Sequence, residues 1–442
     1  MAPNSYSDCM ALGVQFAGKM RKYATHLEAF IIFVQFLGLV EIVIWANYFH
    51  VSLISLFSWV PADSVLHSSP ILGTHSFSDL SSSIIASNNS NPWVQLGVTY
   101  TPACMILFRL IGVLFRGHWL LVPLALITLS SLIPFILVAI KYRIPILFGA
   151  FIVGSTAFVT LIDRGNIIGL LPVLLFLFYR ENTKGRQISA ALFLAFSISL
   201  KIYPALLIIF LLLFRRYRIV IWTIFFTMVM NFISAIFWGN PILILKTLIH
   251  NDLNSLNGLQ SNIASIDAGT NLVHVISFFG MRHTVIYGWA VSHQSYLSLL
   301  TLILLCSVSR LYSERYWILF ALVALQMVQF PAYRYIGCWT FVAIPILLEL
   351  NHLDWTSGNK KTAGDTLRIN DSPIRSNEVE FVFWLLGISM GNLLIFRHNN
   401  YDLLPAVIYI TFMTWLIKKI IEHWTRPRIK ESLTKQSFPS KR

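Results

Sequence analysis

Two short polar interruptions carry most of the reactive side chains in the middle of this chain: Asp163-Arg164-Gly165-Asn166 and Lys201-Ile202-Tyr203-Pro204. A third, Pro331-Ala332-Tyr333-Arg334-Tyr335, follows later in the chain. Far upstream, Asp79 and Asp63 are the two acids in a Ser- and Asn-rich stretch that has no Lys or Arg from Phe49 to Thr99. A carboxylate set against several cations suits an acid/base group opposite an anionic leaving group such as a phosphate. In such a set Arg164 and Arg334 favour bidentate phosphate contact and Lys201 acts as a point charge. Tyr203 and Tyr335 supply hydroxyl bonds or a stacking face. Each residue also has a plainer reading. Asp79 is then a solvated loop acid, and Asp163 caps the following helix or pairs with Arg164. Lys201 snorkels to a surface, and Arg334 sits in an interfacial aromatic belt.

The elements that must position these groups are apolar. The chain has 442 residues, of which 56% are hydrophobic and 12% charged, and its mean hydropathy is +0.69. A soluble chain carries about 25% charged residues, so the composition predicts an all-α polytopic membrane protein. The net charge of +14 is spread over many short loops. It therefore reads as topology and contact with anionic membrane lipids rather than a nucleic-acid surface. Cys9, Cys104, Cys306 and Cys338 are scattered, with neither metal-ligand nor disulfide spacing. The histidines His250, His274, His283 and His293 form no metal-ligand spacing either, and no glycine loop that would cradle a nucleotide phosphate is visible. No metal or cofactor is expected on these grounds. The first long apolar run reads as a signal anchor rather than a cleaved peptide.

Loops rich in Lys and Arg stay in the cytoplasm. The clusters Lys19/Arg21/Lys22, Lys141/Arg143, Arg180/Lys184/Arg186, Arg215/Arg216/Arg218 and Arg310/Arg315 therefore place the polar interruptions on the outer side. The apolar runs between them, Ile167–Tyr179, Gln187–Leu200 and Ala205–Phe214, hold 13, 14 and 10 residues, short of the roughly 20 that span hydrocarbon. The polar tips are accordingly expected below the outer surface, in an extracytoplasmic cavity, where ionisable groups are functional candidates by default. Trp119–Ile140, Ile219–Trp238 and Val285–Val308 read as single spans, and Thr101–Phe115 as a helix lying at the outer interface. This organisation gives about 12 transmembrane helices. Residues 1–27 form a cytoplasmic N-terminal segment, and 28–350 a transmembrane module with outer loops at 49–118 and 239–284. A cytoplasmic loop at 351–378, a transmembrane hairpin at 379–421 and a basic tail at 422–442 complete the chain.

Asp163-Arg164-Gly165-Asn166, followed by Lys201-Ile202-Tyr203-Pro204 and Arg215-Arg216, resembles the GT-C superfamily of membrane glycosyltransferases. The likeness is to bacterial polyprenyl-phosphate-mannose-dependent α-mannosyltransferases and, more distantly, to the catalytic subunit of GPI mannosyltransferase I. Phe77-Ser78-Asp79, Asn91-Pro92-Trp93 and Tyr100-Thr101-Pro102 look like that family's first outer loop, and Tyr333-Arg334-Tyr335 like its late polar turn. The resemblance covers roughly residues 75–350. It implies short outer-facing helices around a cavity, Asp79 as the catalytic Asp, acting as general base, Arg164, Asn166, Lys201, Tyr203, Arg334 and Tyr335 toward the lipid phosphate and sugar, and Tyr100 and Asp163 as supporting polar groups. It further implies a polyprenyl-phosphate sugar as donor, a glycan or glycolipid as acceptor, and a place in the cytoplasmic membrane. Many bacterial members have Gly-Gln-x-Asn where this chain has Asp163-Arg164-Gly165-Asn166, so mannose is the default sugar only. A lipid-linked glycan flippase, or a non-catalytic member of a glycan-assembly complex, is the alternative. Cations facing a single leaflet favour the enzyme.

Overall fold

The computed structural model describes residues 78–115, 117–142, 165–261, 284–312, 316–327, 341–347 and 401–425, together with 158, 161, 275–276, 349–350 and 397–398. The described chain is mostly helical. One short antiparallel ladder joins β1 (Arg397–His398) to β2 (Tyr401–Asp402). Asp163, Arg164, Arg334 and Tyr335 lie outside the described residues, as do the expected N-terminal segment and the loop at 351–378.

The segments expected as outer loops contain helices. In the first are α1 (Ser78–Ser87) and α2 (Pro92–Leu96), followed by α3 (Pro102–Leu114), where the sequence predicts a helix over Thr101–Phe115. The local chemistry explains two of them. Asn91 accepts from the Val94 amide at 3.2 Å with Pro92 at the first helical position, and Thr101 accepts from the Cys104 amide at 3.3 Å with Pro102 following. A side-chain cap plus a proline that has no amide to leave unpaired is a strong helix start. The Asn-Pro and Tyr-Thr-Pro marks are thus helix beginnings.

The stretch expected as one span at 119–140 is two helices, α4 (Leu121–Ser130) and α5 (Ile133–Tyr142), bent by 46°. Pro134 removes the amide that would continue the ladder. After a 3-10 turn at Ile167–Leu170 come α6 (Leu171–Thr183) and α7 (Gln187–Leu200). A second 3-10 turn, Tyr203–Leu206, leads into α8 (Leu207–Leu213). The 20-residue α9 (Tyr217–Ile236) then runs about 30 Å. The second expected outer loop begins with α10 (Pro241–Ser261), which Asn240 caps through the Ile242 and Leu243 amides at 3.0 and 3.2 Å. Next are α11 (Val285–Ser292) and α12 (Gln294–Ser309), expected as one span but bent by 68°. Here Ser292 Oγ donates to the Trp289 carbonyl at 2.9 Å, and His293 Nδ1 lies 2.8 Å from the same oxygen. Side chains entering the ladder in this way are a recognised cause of kinks. The described chain closes with α13 (Trp317–Met327) and α14 (Leu403–Thr425).

Helices α6 and α7 form an antiparallel hairpin, and α9 packs beside α7 in the same direction. Thr223 of α9 donates to the Ala191 carbonyl near the start of α7, and Asn231 of α9 to Ser199 Oγ near its end. The hairpin turn, with Lys184 and Arg186, therefore lies at one end of this group, and Asn166, Lys201 and Tyr203 lie at the other. Both turns at the basic end close in the same way. The Gly185 and Arg186 amides donate to Asn182 and Glu181, and the Arg215 and Arg216 amides to Leu212 and Leu211. This pairing is the Schellman motif, whose C′ residue is left-handed. Gly185 meets that demand at φ +74, and Arg215 adopts it at φ +58.

The exterior is apolar over long stretches. Helix α9 exposes a stripe of Ile221, Phe225, Met228, Phe232 and Ile236, while α4 and α5 expose Leu126, Leu129, Ile133 and Ile136. Among the described residues, α9 is the one helix long and apolar enough to cross a membrane, or one of up to three spans if each bent pair counts as one.

Gly169 is where the first 3-10 turn meets α4. A Cβ there would lie 2.8 Å from the Ile127 carbonyl oxygen, whereas one on Gly185 would meet nothing within 4 Å. The two glycines serve different needs, close approach in one case and a left-handed backbone in the other. Gly185→Asn should be nearly silent, because Asn visits the left-handed region readily. Gly169→Asn should destabilise by about 1–3 kcal/mol through overpacking. Thermal unfolding of the two purified variants checks this, and equal losses would contradict it.

Candidate active site

Asp79 sits in the first turn of α1, where the partial positive charge of a helix N-terminus favours an anion. Its Oδ2 accepts from Asn166 Nδ2 at 2.6 Å, across a sequence separation of 87. Asn166 caps the 3-10 turn that leads into α6. Its Oδ1 accepts from the Ile168 amide at 3.0 Å, and the residue is 1% exposed. The left-handed Gly165, at φ +60, turns the chain into this cap.

Lys201 comes from the other helix of the hairpin. It closes α7, with its amide donating to the Ser197 carbonyl at 3.1 Å. Extended backbone then throws its side chain toward the segment before α3, and Nζ lies 3.8 Å from the centroid of the Tyr100 ring. An ammonium over a tyrosine face is held by the ring quadrupole. Removal from water pushes the Tyr100 phenol well above its ordinary pKa, and the Asp79 charge, the Cys104 thiol and the Tyr203 phenol act in the same direction. A Ser83 hydrogen bond opposes them without reversing the shift. The phenol therefore stays protonated at neutral pH. Ser83, one turn after Asp79, lies on the same face of α1.

The structure thus brings Asp79, Tyr100, Asn166, Lys201 and Tyr203 into one neighbourhood at the end of the helix group opposite Lys184 and Arg186. Asp163, Arg164, Arg334 and Tyr335 fall outside the described residues. Among the described residues no group of three or more His, Cys, Asp or Glu side chains comes together in a way that would hold a metal ion.

Several residues that hold the cluster together are not among the candidate site residues, some lying within the motifs and some outside them. Thr101 Oγ1 donates to the Ser199 carbonyl at the end of α7. Asn231 Nδ2 donates to Ser199 Oγ at 3.1 Å, and its Oδ1 accepts from the Ala103 amide at 3.3 Å. One asparagine on α9 thereby ties α3 to α7. Trp93, 1% exposed, donates its indole N–H to the Tyr100 carbonyl at 2.8 Å and packs edge-on against Trp238 at 5.1 Å. Asn251 of α10 donates to the Trp93 and Val98 carbonyls at 2.8 and 3.2 Å. Arg109 lies 4.7 Å over the Phe237 ring. The sequence does hold one signal for this scaffold: Asn231 is an isolated amide in the otherwise apolar middle of a long helix.

Compared with protein-family models, curated proteins and solved structures, the chain matches none. The chemistry of the site therefore rests on its own geometry. That geometry sets a carboxylate held by an amide near an ammonium held by an aromatic ring, with two tyrosines between and beside them. A proton acceptor and an anion stabiliser are thereby offered at one place.

The Tyr100–Lys201 contact can be measured directly. A double-mutant cycle between Tyr100→Leu and Lys201→Met, followed by thermal unfolding, should give a coupling of about 0.5–2 kcal/mol. Tyr100→Phe should retain the coupling because the ring remains. Additive single losses would show that the two side chains do not interact.

Proposed function

We propose that this chain is a multi-pass membrane glycosyltransferase of GT-C type, with about 12 membrane-crossing helices. It moves a sugar, mannose by default, from a polyprenyl-phosphate donor to a glycan or glycolipid acceptor on the extracytoplasmic side. The observation that carries the reading is the meeting of Asp79 and Asn166 with Tyr100 and Lys201 at one end of the α6–α7 hairpin. The apolar stripe on α9 and the basic residues at the other end of the hairpin support a membrane setting with the cluster facing out.

In this reading the acceptor hydroxyl gives its proton to the Asp79 carboxylate as its oxygen bonds the anomeric carbon. The bond from that carbon to the phosphate oxygen breaks, and its electron pair leaves with the lipid phosphate. Attack from the face opposite the phosphate inverts the anomeric centre. The Lys201 ammonium, held on the Tyr100 ring, stabilises the charge gathering on the departing phosphate. Arg164 and Arg334 are proposed to join it. Tyr203 and Tyr335 contribute hydroxyl bonds or a face for the sugar.

Product analysis of the purified chain with labelled polyprenyl-phosphate sugars tests this. Asp79→Asn should keep donor binding and lose about 10²–10⁴ in transfer rate, and Lys201→Ala should lose about 10²–10³. Asp63→Asn is the internal control and should transfer at the parental rate. Transfer by Asp79→Asn close to that of the parent would overturn the mechanism, and movement of intact donor across a bilayer without transfer would favour a flippase.

A further inference from the structure

We infer that Asn166 is a positioning residue for Asp79 rather than a phosphate ligand, an inference that rests on the reading of Asp79 as the base. The side chain is engaged at both ends. Its Oδ1 takes the Ile168 amide at 3.0 Å and its Nδ2 gives to Asp79 Oδ2 at 2.6 Å. Burial leaves 1% of the residue exposed, so it offers almost no surface to a lipid phosphate. Capping by itself needs an acceptor oxygen, which Ser or Asp supplies as well as Asn. The amide adds what those caps lack: a second polar atom, Nδ2, that donates to the Asp79 carboxylate while Oδ1 holds the cap.

The cap also decides which way the amide faces. Turning the carboxamide over would set its NH2 against the Ile168 N–H and its oxygen against the Asp79 carboxylate, two repulsive contacts in place of two attractive ones. The donor is thereby locked toward Asp79 by the backbone of the turn that Gly165 and Gly169 make possible. One oxygen of the base is pinned, and the carboxylate is held at a fixed angle to the space where an acceptor hydroxyl must arrive. Misplacing a reacting group by about 1 Å costs on the order of 10² in rate, which sets the size of the effect.

The experiment compares Asn166→Ser, Asn166→Asp and Asp79→Asn in the full-length purified chain, with labelled polyprenyl-phosphate mannose as the donor and both kcat and KM measured. Asn166→Ser keeps a good cap but is one atom shorter, so its O–H no longer reaches Asp79 from the capping position, and kcat should fall on the order of 10²-fold with KM unchanged. Asn166→Asp also keeps the cap but opposes Asp79 with a second carboxylate, and should fall further. Parental kcat in Asn166→Ser would make Asn166 a cap only. A raised KM with parental kcat would make it a donor ligand. Either result overturns the inference while leaving Asp79 as the base, provided Asp79→Asn is inactive; an active Asp79→Asn instead removes the reading beneath it. A thermal-unfolding cycle reads the contact without turnover. Asn166→Ser should lower Tm in the parent and leave it nearly unchanged in an Asp79→Ala background, and equal lowering in both would show that the contact does not form.

Discussion

The last turn of any helix leaves carbonyl oxygens without a helical partner, and in α7 one of these belongs to Ser199, two residues before Lys201. Thr101 satisfies it through its hydroxyl, and Asn231 takes the Ser199 side chain. This pairing carries the rest of the arrangement with it. Because Thr101 is both the cap of α3 and the donor to α7, the residue before it, Tyr100, is set over the end of α7 and beneath the Lys201 ammonium. The same hydroxyl that starts one helix finishes another. In surroundings short of water an unpaired polar group costs several kcal/mol, so these bonds determine the packing.

The helices around this junction divide the labour between their faces. On α9, Ile219, Val220, Thr223, Asn231 and Ala235 are buried against the neighbouring helices, while the opposite stripe of large apolar side chains faces outward. A helix with an apolar exterior and its polar residues turned inward inverts the usual soluble pattern. Its single buried amide is used where two other helices meet. At the far end the chain reverses through two left-handed turns that carry arginine and lysine, and Glu181 takes Lys184 and Arg186 at 3.2 and 3.4 Å.

Much of this was legible in the sequence at the level of helical runs. Gln187–Leu200 has the same bounds in the sequence reading and in the structure, because Gly185 before it and Pro204 after it interrupt an unbroken apolar stretch. The proximity of Asp79, Tyr100, Asn166, Lys201 and Tyr203 was suggested by resemblance, since no local pattern relates positions 87 apart. The bend between α4 and α5 was readable in principle from Pro134. The bend between α11 and α12 was not, because Ser292 and His293 are ordinary residues until their side chains turn back onto the Trp289 carbonyl. The outer segments were read as loops because Ser and Asn dominate their composition. The cap-and-proline start at Asn91-Pro92 outweighs that composition, whereas the largely apolar Thr101–Phe115 already reads as a helix. Asn166 shows the same limit at a single residue. Its type suggested a polar ligand, and only the burial and the direction of its amide tie it to a carboxylate.

The amide of Asn231 also sets an order in time. It meets the Ala103 backbone across a separation of 128 residues, so α3 is made long before its partner exists. At the usual pace of synthesis that interval is on the order of 10 s. During it the Ala103 amide must be satisfied by water or by temporary neighbours, and the Thr101 hydroxyl waits a shorter time, 98 residues, for Ser199. The segment that carries Tyr100 thus emerges early and is fastened late, first by α7 and finally when α9 arrives and displaces whatever was holding the Ala103 amide. Any factor that shelters a half-built helical bundle would find α3 waiting in that state.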